Sequence, residues 1–187
     1  MNFLFAQLNI DSACVIGASS GGRLAIDFAL DYQKKVSSLV LVGAVVGGFS
    51  YTNHFYTRGG YLPSDLSDTQ QRLLYHASYD PYEIYYENTN AKKKAIELVM
   101  SNPRKLDHTH DNSNRSQTTP SYLRLNEIKV PVLILTGEYD IPDVQAHAGV
   151  INAGVSNSKR IIIPKSGHLI PLEQPDLFNQ IVDDFLK

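Results

Sequence analysis

The chain has 187 residues, enough for one domain or part of a larger one and too few for two ample ones. Apolar residues make up 43% and charged residues 19%, a composition that supports a packed core and excludes long disorder. A net charge of −2 supplies no field for gripping phosphate backbones or anionic lipid, so neither nucleic acid nor a membrane surface is an expected partner. No apolar run approaches the roughly 20 residues of a membrane helix. The single cysteine, Cys14, excludes an internal disulfide and a cysteine-based metal cluster. Residues 1–8 carry no basic side chain, and Asn2 and Gln7 interrupt their apolar stretch, which makes a poor signal peptide. The cytosol is the expected compartment.

In chain order, residues 12–16 (SACVI) form a short apolar run that Gly17 ends, a pattern that predicts a buried strand. From Gly21 the spacing changes to three- and four-residue steps through Leu24, Ala25, Phe28 and Tyr32, which predicts a helix. Residues 38–42 (SLVLV) predict a second strand, closed by Gly43 and followed by Gly47 and Gly48. The segment 50–125 breaks this alternation: it holds nine of the eleven tyrosines, helix-like stretches near 69–79 and 81–100, the second broken around 88–90, and a polar tract at 108–119. An insertion between two strands suits a cap over a site, and tyrosine-rich surfaces suit a partly apolar ligand. Residues 130–136 (VPVLILT) and 159–163 (KRIII) predict two more strands, with helices over 142–153 and 175–186. Apolar strands alternating with amphipathic helices indicate an α/β fold: a mainly parallel sheet with helices on both faces. The expected core is 1–49 with 126–187, and the expected insertion is 50–125.

Chemistry enters at Gly17-Ala18-Ser19-Ser20-Gly21, a G-x-S-x-G pattern. The five letters are common, but here they join the end of a strand to the start of a helix. Such a turn strains the central serine and lifts its hydroxyl above the sheet. Glycines at 17 and 21 are expected where a side chain would collide with the crossing of helix and strand. Ser20, at the helix start, can offer its backbone N–H to a developing oxyanion. No P-loop lysine follows, and G-x-G-x-x-G is absent, which disfavours a phosphate-binding turn. A nucleophilic serine needs a base, and the base an orienting carboxylate. Asp140 follows the strand at 130–136 directly, His168 follows the one at 159–163, and sites in open parallel sheets form outside those carboxyl ends. Ser19, Asp140 and His168 can therefore converge. Asp143 and Glu138 are alternative acids, and Asp107, His108, His110 and Asp111 form a polar tract better read as solvated than as a metal cluster.

The phrases IGASSGGRLAIDFAL, VPVLILTGEYDIPD and SGHLIPLEQPDLFNQIVDDFL resemble the α/β-hydrolase superfamily, particularly its small esterase, lactonase and carbon–carbon-bond hydrolase members. The resemblance implies Ser19 as nucleophile, Asp140 as triad acid, His168 as general base and Ser20 as one oxyanion donor, in the family's order of serine, acid, histidine. It implies no metal or organic cofactor, and a small ester-like molecule as substrate. A serine at 19 disfavours the branches that attack with aspartate. The chain departs from the family at its front: only sixteen residues precede Gly17, where the family has several strands and the loop donating a second oxyanion N–H. The expectation is a truncated form of a longer hydrolase, with residues 3–8 as the tail of a preceding helix, the strand at 12–16 at an exposed edge, and self-association through that edge. Three classes follow: an ester or lactone hydrolase, a carbon–carbon-bond hydrolase on the same triad, and a non-catalytic binding module.

Overall fold

The protein is described from a computed structural model, in which residues 1–57, 74, 79–101 and 119–187 are described. All four expected strands form: β1 (Ala13–Ala18), β2 (Val36–Val42), β3 (Val132–Gly137) and β4 (Ser158–Ile163). They make one parallel sheet in the order β1-β2-β3-β4. β1 runs past the expected end at 16, because Gly17 pairs with Leu41 and Ala18 with Val42. The helices among the described residues are α1 (Asn2–Gln7), α2 (Ser20–Asp31), α3 (Asn53–Thr57), α4 (Thr89–Ser101), α5 (Pro142–Gly154), α6 (Ile170–Glu173) and α7 (Pro175–Leu186).

Alternation along the strands sorts side chains between two cores. Leu39 and Leu41 of β2, with Val132 and Ile134 of β3, face Ala25, Ile26 and Ala29 of α2 and Ala148 and Ile151 of α5. Val40 and Val42, with Leu133 and Leu135, face the opposite way, against Ile170 of α6 and Val182 of α7. β2 and β3 are thus covered on both faces, which explains why their sequences run continuously apolar rather than alternating. Each buried Leu or Ile contributes about 1.5–3 kcal/mol.

The outer margin of β1 has no strand beside it among the described residues. Ile16, pointing to the α7 side, is 53% exposed. α1 packs on α2 through Phe5, whose ring meets Phe28 edge-on at 5.6 Å, while Phe3, Leu4 and Leu8 stay exposed.

Two expectations in the insertion need comment. The stretch 81–100 is helical only from Thr89, with turns over 81–87. Asn88 caps the helix, its Oδ1 accepting the Ala91 N–H at 3.0 Å. The stretch 69–79 lies almost wholly outside the described residues, as does the tract at 107–111. At the far end of the insertion, Ser121 bonds to Asp27 of α2 and Leu125 is buried in the α2–α5 core.

Candidate active site

The site grows from the carboxyl ends of β1, β3 and β4. At the end of β1 the chain turns into α2 with Ser19 at φ 51°, ψ −121°. A left-handed φ in a non-glycine residue costs on the order of 1–3 kcal/mol, so surrounding bonds must hold it. They do: the Ser19 N–H donates to the Val42 carbonyl at 2.9 Å, and the Ser19 carbonyl accepts the Gly22 N–H at 3.0 Å. Ser20 opens α2 as its first residue, so its N–H is among those with no acceptor inside the helix.

Crowding at this turn falls on Gly17 and Gly22. A Cβ on Gly17 would lie 2.6 Å from the Gly21 carbonyl oxygen, and one on Gly22 would lie 2.3 Å from Ala44 Cβ. Gly21, expected to be required for the same reason, would meet nothing within 4 Å. The collision expected at 21 is therefore corrected to 22: one residue further along, the helix turns that face toward the Gly43–Ala44 segment after β2.

Beyond β3 and β4 the histidine and acid come together. His168 Nδ1 stands 2.8 Å from Asp140 Oδ1, and the same oxygen accepts the Ile141 N–H at 2.8 Å. The Asp140 carboxylate is fully buried, whereas the His168 ring is 11% exposed. A carboxylate only accepts, so Nδ1 carries the proton and Nε2 is left as the basic nitrogen. The pair rests on Gly43, at φ 52°, where a Cβ would come within 2.9 Å of the imidazole and 3.2 Å of Asp140 Oδ2. Gly43 directly follows Val42, the residue that holds the Ser19 N–H. The serine turn and the imidazole thus border the same Val42–Gly43 peptide.

The two alternative acids are engaged elsewhere. Asp143 is buried and accepts both the N–H (2.6 Å) and the hydroxyl (2.9 Å) of Thr52, tying the chain after β2 to α5. Glu138 accepts the Lys165 N–H at 3.0 Å on the surface. Among the described residues no group of three metal-ligating side chains occurs. No helix among them is long and apolar enough to cross a membrane.

The residues that sequence reasoning missed hold the histidine. The His168 N–H donates to the carbonyls of Tyr82 (2.9 Å) and Glu83 (3.0 Å), so the insertion's 82–83 segment fixes the histidine loop. Gly167 permits that approach, since its Cβ would lie 2.6 Å from the Tyr82 oxygen. Gly43 was visible only as a strand terminator. Nothing in the spacing of Tyr82 and Glu83 announces a partner 86 or 85 positions away.

A family model described as alpha/beta hydrolase fold matches residues 1–175. Over 197 residues the chain is 30% identical to the 2-hydroxy-6-oxononadienedioate/2-hydroxy-6-oxononatrienedioate hydrolase of Paraburkholderia phymatum, covering 96% of this chain and 64% of that protein. A 2-hydroxy-6-oxo-6-phenylhexa-2,4-dienoate hydrolase of Comamonas testosteroni is 25% identical, with 98% of this chain and 66% of the relative covered. Among solved structures, MenH from S. aureus superposes with a TM-score of 0.73 at 24% identity, covering 99% of this chain and 71% of that one. Carboxylesterase CesB from Bacillus subtilis superposes at 0.70 and 23% identity, covering 100% and 64%. The chain thus spans about two thirds of the length of these relatives.

Proposed function

The chain belongs to the alpha/beta-hydrolase family, and on that premise we propose that it carries the serine-hydrolase machinery of a carboxylic ester or lactone hydrolase, with Ser19 as nucleophile, His168 as base and Asp140 as its orienting acid. The observation that supports this reading is the partly buried Asp140–His168 pair at 2.8 Å, standing over the residue next to the one that holds the Ser19 turn.

In the proposed reaction His168 Nε2 takes the Ser19 hydroxyl proton as Oγ bonds to the substrate carbonyl carbon. The carbonyl electron pair moves to oxygen, and the Ser20 N–H stabilises the resulting oxyanion. Collapse breaks the bond to the leaving alkoxide, which receives the proton from His168. Water, deprotonated by His168, then cleaves the acyl–Ser19 bond, and the returning proton restores the hydroxyl. Asp140 holds the imidazole tautomer and balances the transient imidazolium.

The test is twofold. Ser19→Ala abolishes p-nitrophenyl acetate hydrolysis, and a fluorophosphonate labels Ser19 in the wild type but not in His168→Ala. Equal hydrolysis by wild type and Ser19→Ala removes the assignment. A second reading, hydrolysis of a carbon–carbon bond, is favoured by the names of the two sequence relatives. A 2-hydroxy-6-oxo-dienoate whose absorbance is lost on cleavage distinguishes it: faster turnover of that compound than of the ester selects the second reading.

A further inference from the structure

Glu173 closes α6, five residues after His168, and is only 6% exposed. A carboxylate withdrawn from water is costly unless donors surround it, and the donors here come from two separate parts of the chain. Oε2 accepts the Tyr85 N–H at 2.7 Å. Oε1 accepts the Gly167 N–H at 2.8 Å and the Ser166 hydroxyl at 3.3 Å. The Glu173 backbone carbonyl accepts Asn88 Nδ2 at 3.2 Å. One residue therefore bridges the insertion's 82–88 segment and the two residues just before the histidine. The same segments meet again next door, where His168 N–H reaches the Tyr82 and Glu83 carbonyls and Leu169 N–H reaches Glu83 at 3.2 Å. Ile84, fully buried, packs with Ala91 and Ala95 of α4 and with Leu169 and Leu172, so the bridge is also seated in a small apolar cluster.

We propose that Glu173 is a positioning residue that makes the ordering of the 82–88 segment and the placement of His168 a single event. Without the two-sided carboxylate, the histidine loop loses its link through Gly167 and the insertion loses its link through Tyr85. The catalytic part of this inference rests on the serine-hydrolase reading; the mechanical part does not.

The experiment compares the wild-type chain with Glu173→Gln and Glu173→Asp by amide hydrogen exchange and by kcat and KM for p-nitrophenyl acetate. In Glu173→Gln one acceptor oxygen becomes an amide donor facing an N–H. The expected result is a joint loss of protection, about tenfold or more, the size of one lost buried hydrogen bond, at Tyr85, Gly167, His168 and Leu169. Amides of β3 keep their protection. In the kinetics kcat falls about tenfold to a hundredfold, the size of a misplaced catalytic group, while KM stays within about threefold. Glu173→Asp, which keeps the charge, recovers part of both losses.

Loss at Tyr85 with residues 167–169 unchanged overturns the coupling. So does a uniform loss that includes β3, or a rise in KM with kcat intact. Should Glu173→Gln fail to fold, the same readings on Glu173→Asp decide. Should Ser19→Ala prove as active as wild type, the catalytic reading fails while the exchange data still decide the bridge.

Discussion

Gly43 shows how one missing methyl group supports a site. Its left-handed φ and the imidazole 2.9 Å from its virtual Cβ leave no room for alanine. Gly43→Ala is expected to push His168 off Asp140 and lower kcat/KM for an ester about a hundredfold, the effect of a roughly 1 Å misplacement. Steady-state kinetics beside a thermal melt would separate this from unfolding. His147 makes a different prediction. It is fully buried in α5, its Nδ1 accepts the Val46 N–H at 3.0 Å, and its Nε2 has no hydrogen-bond partner among the described residues. Burial holds its pKa below the ordinary histidine value, with the charge of Asp143 pulling weakly the other way. As pH falls below about 6.5 the unfolded chain binds a proton that the folded chain refuses, so stability present at neutral pH is lost on acidification. Glu173, raised by burial, contributes with the opposite sign, because its protonation in the folded state as pH falls relieves the cost of its buried charge. Urea unfolding at pH 7 and pH 5.5 should therefore show a smaller loss in His147→Gln than in wild type, and an equal loss would refute the assignment. At this scale the positions of Ser19, Asp140 and His168 just beyond strand ends were legible, because the strands themselves read as apolar runs. Gly22 and Gly43 were not, because what excludes a side chain there is a distant residue.

Among the elements, β1 carries the most consequence. Its inner margin pairs with β2 from Ala13 to Ala18, while its outer margin, beside exposed Ile16, has no strand against it among the described residues. An open edge flanked by apolar side chains templates association. We propose self-association through this edge. Ile16→Lys, which puts a charge on the uncovered face, is expected to reduce concentration-dependent association in light scattering without lowering the melting temperature. Unchanged association would move the contact elsewhere, toward Phe3, Leu4 and Leu8 on α1. The strands were readable as apolar runs bounded by glycine or proline, and α2, α5 and α7 from their periodicity. The stretch from 81 reads as helix-like with a break around 88–90, and only the part beyond that break is helical. In the structure Ile84 instead anchors a turn, and the Tyr85 N–H is drawn to Glu173 rather than to a preceding carbonyl.

For the molecule as a whole, the two cores share the same strands, so damage to one is transmitted to the other. Leu41 is completely buried in the α2–α5 core, one position from Val42 in the α7 core. Leu41→Ala is expected to cost about 2–5 kcal/mol, a large share of the roughly 5–15 kcal/mol that holds a domain together. Equilibrium urea unfolding would measure it, and a cost below about 1 kcal/mol would show that the core relaxes around the cavity. By itself the amino-acid order determined the α/β class, the parallel direction of the strands and the three positions of a serine, an acid and a histidine beyond strand ends. Those features follow from local periodicity and from turn chemistry, which neighbours a few residues apart suffice to express. Tertiary structure alone decided that Asp143 is taken up by Thr52 and Glu138 by the Lys165 N–H, that Gly43 lies beneath the imidazole, and that Glu173 bridges the insertion to the histidine loop. Each of these depends on atoms brought together across dozens of residues, a distance at which side-chain spacing along the chain carries no directional information.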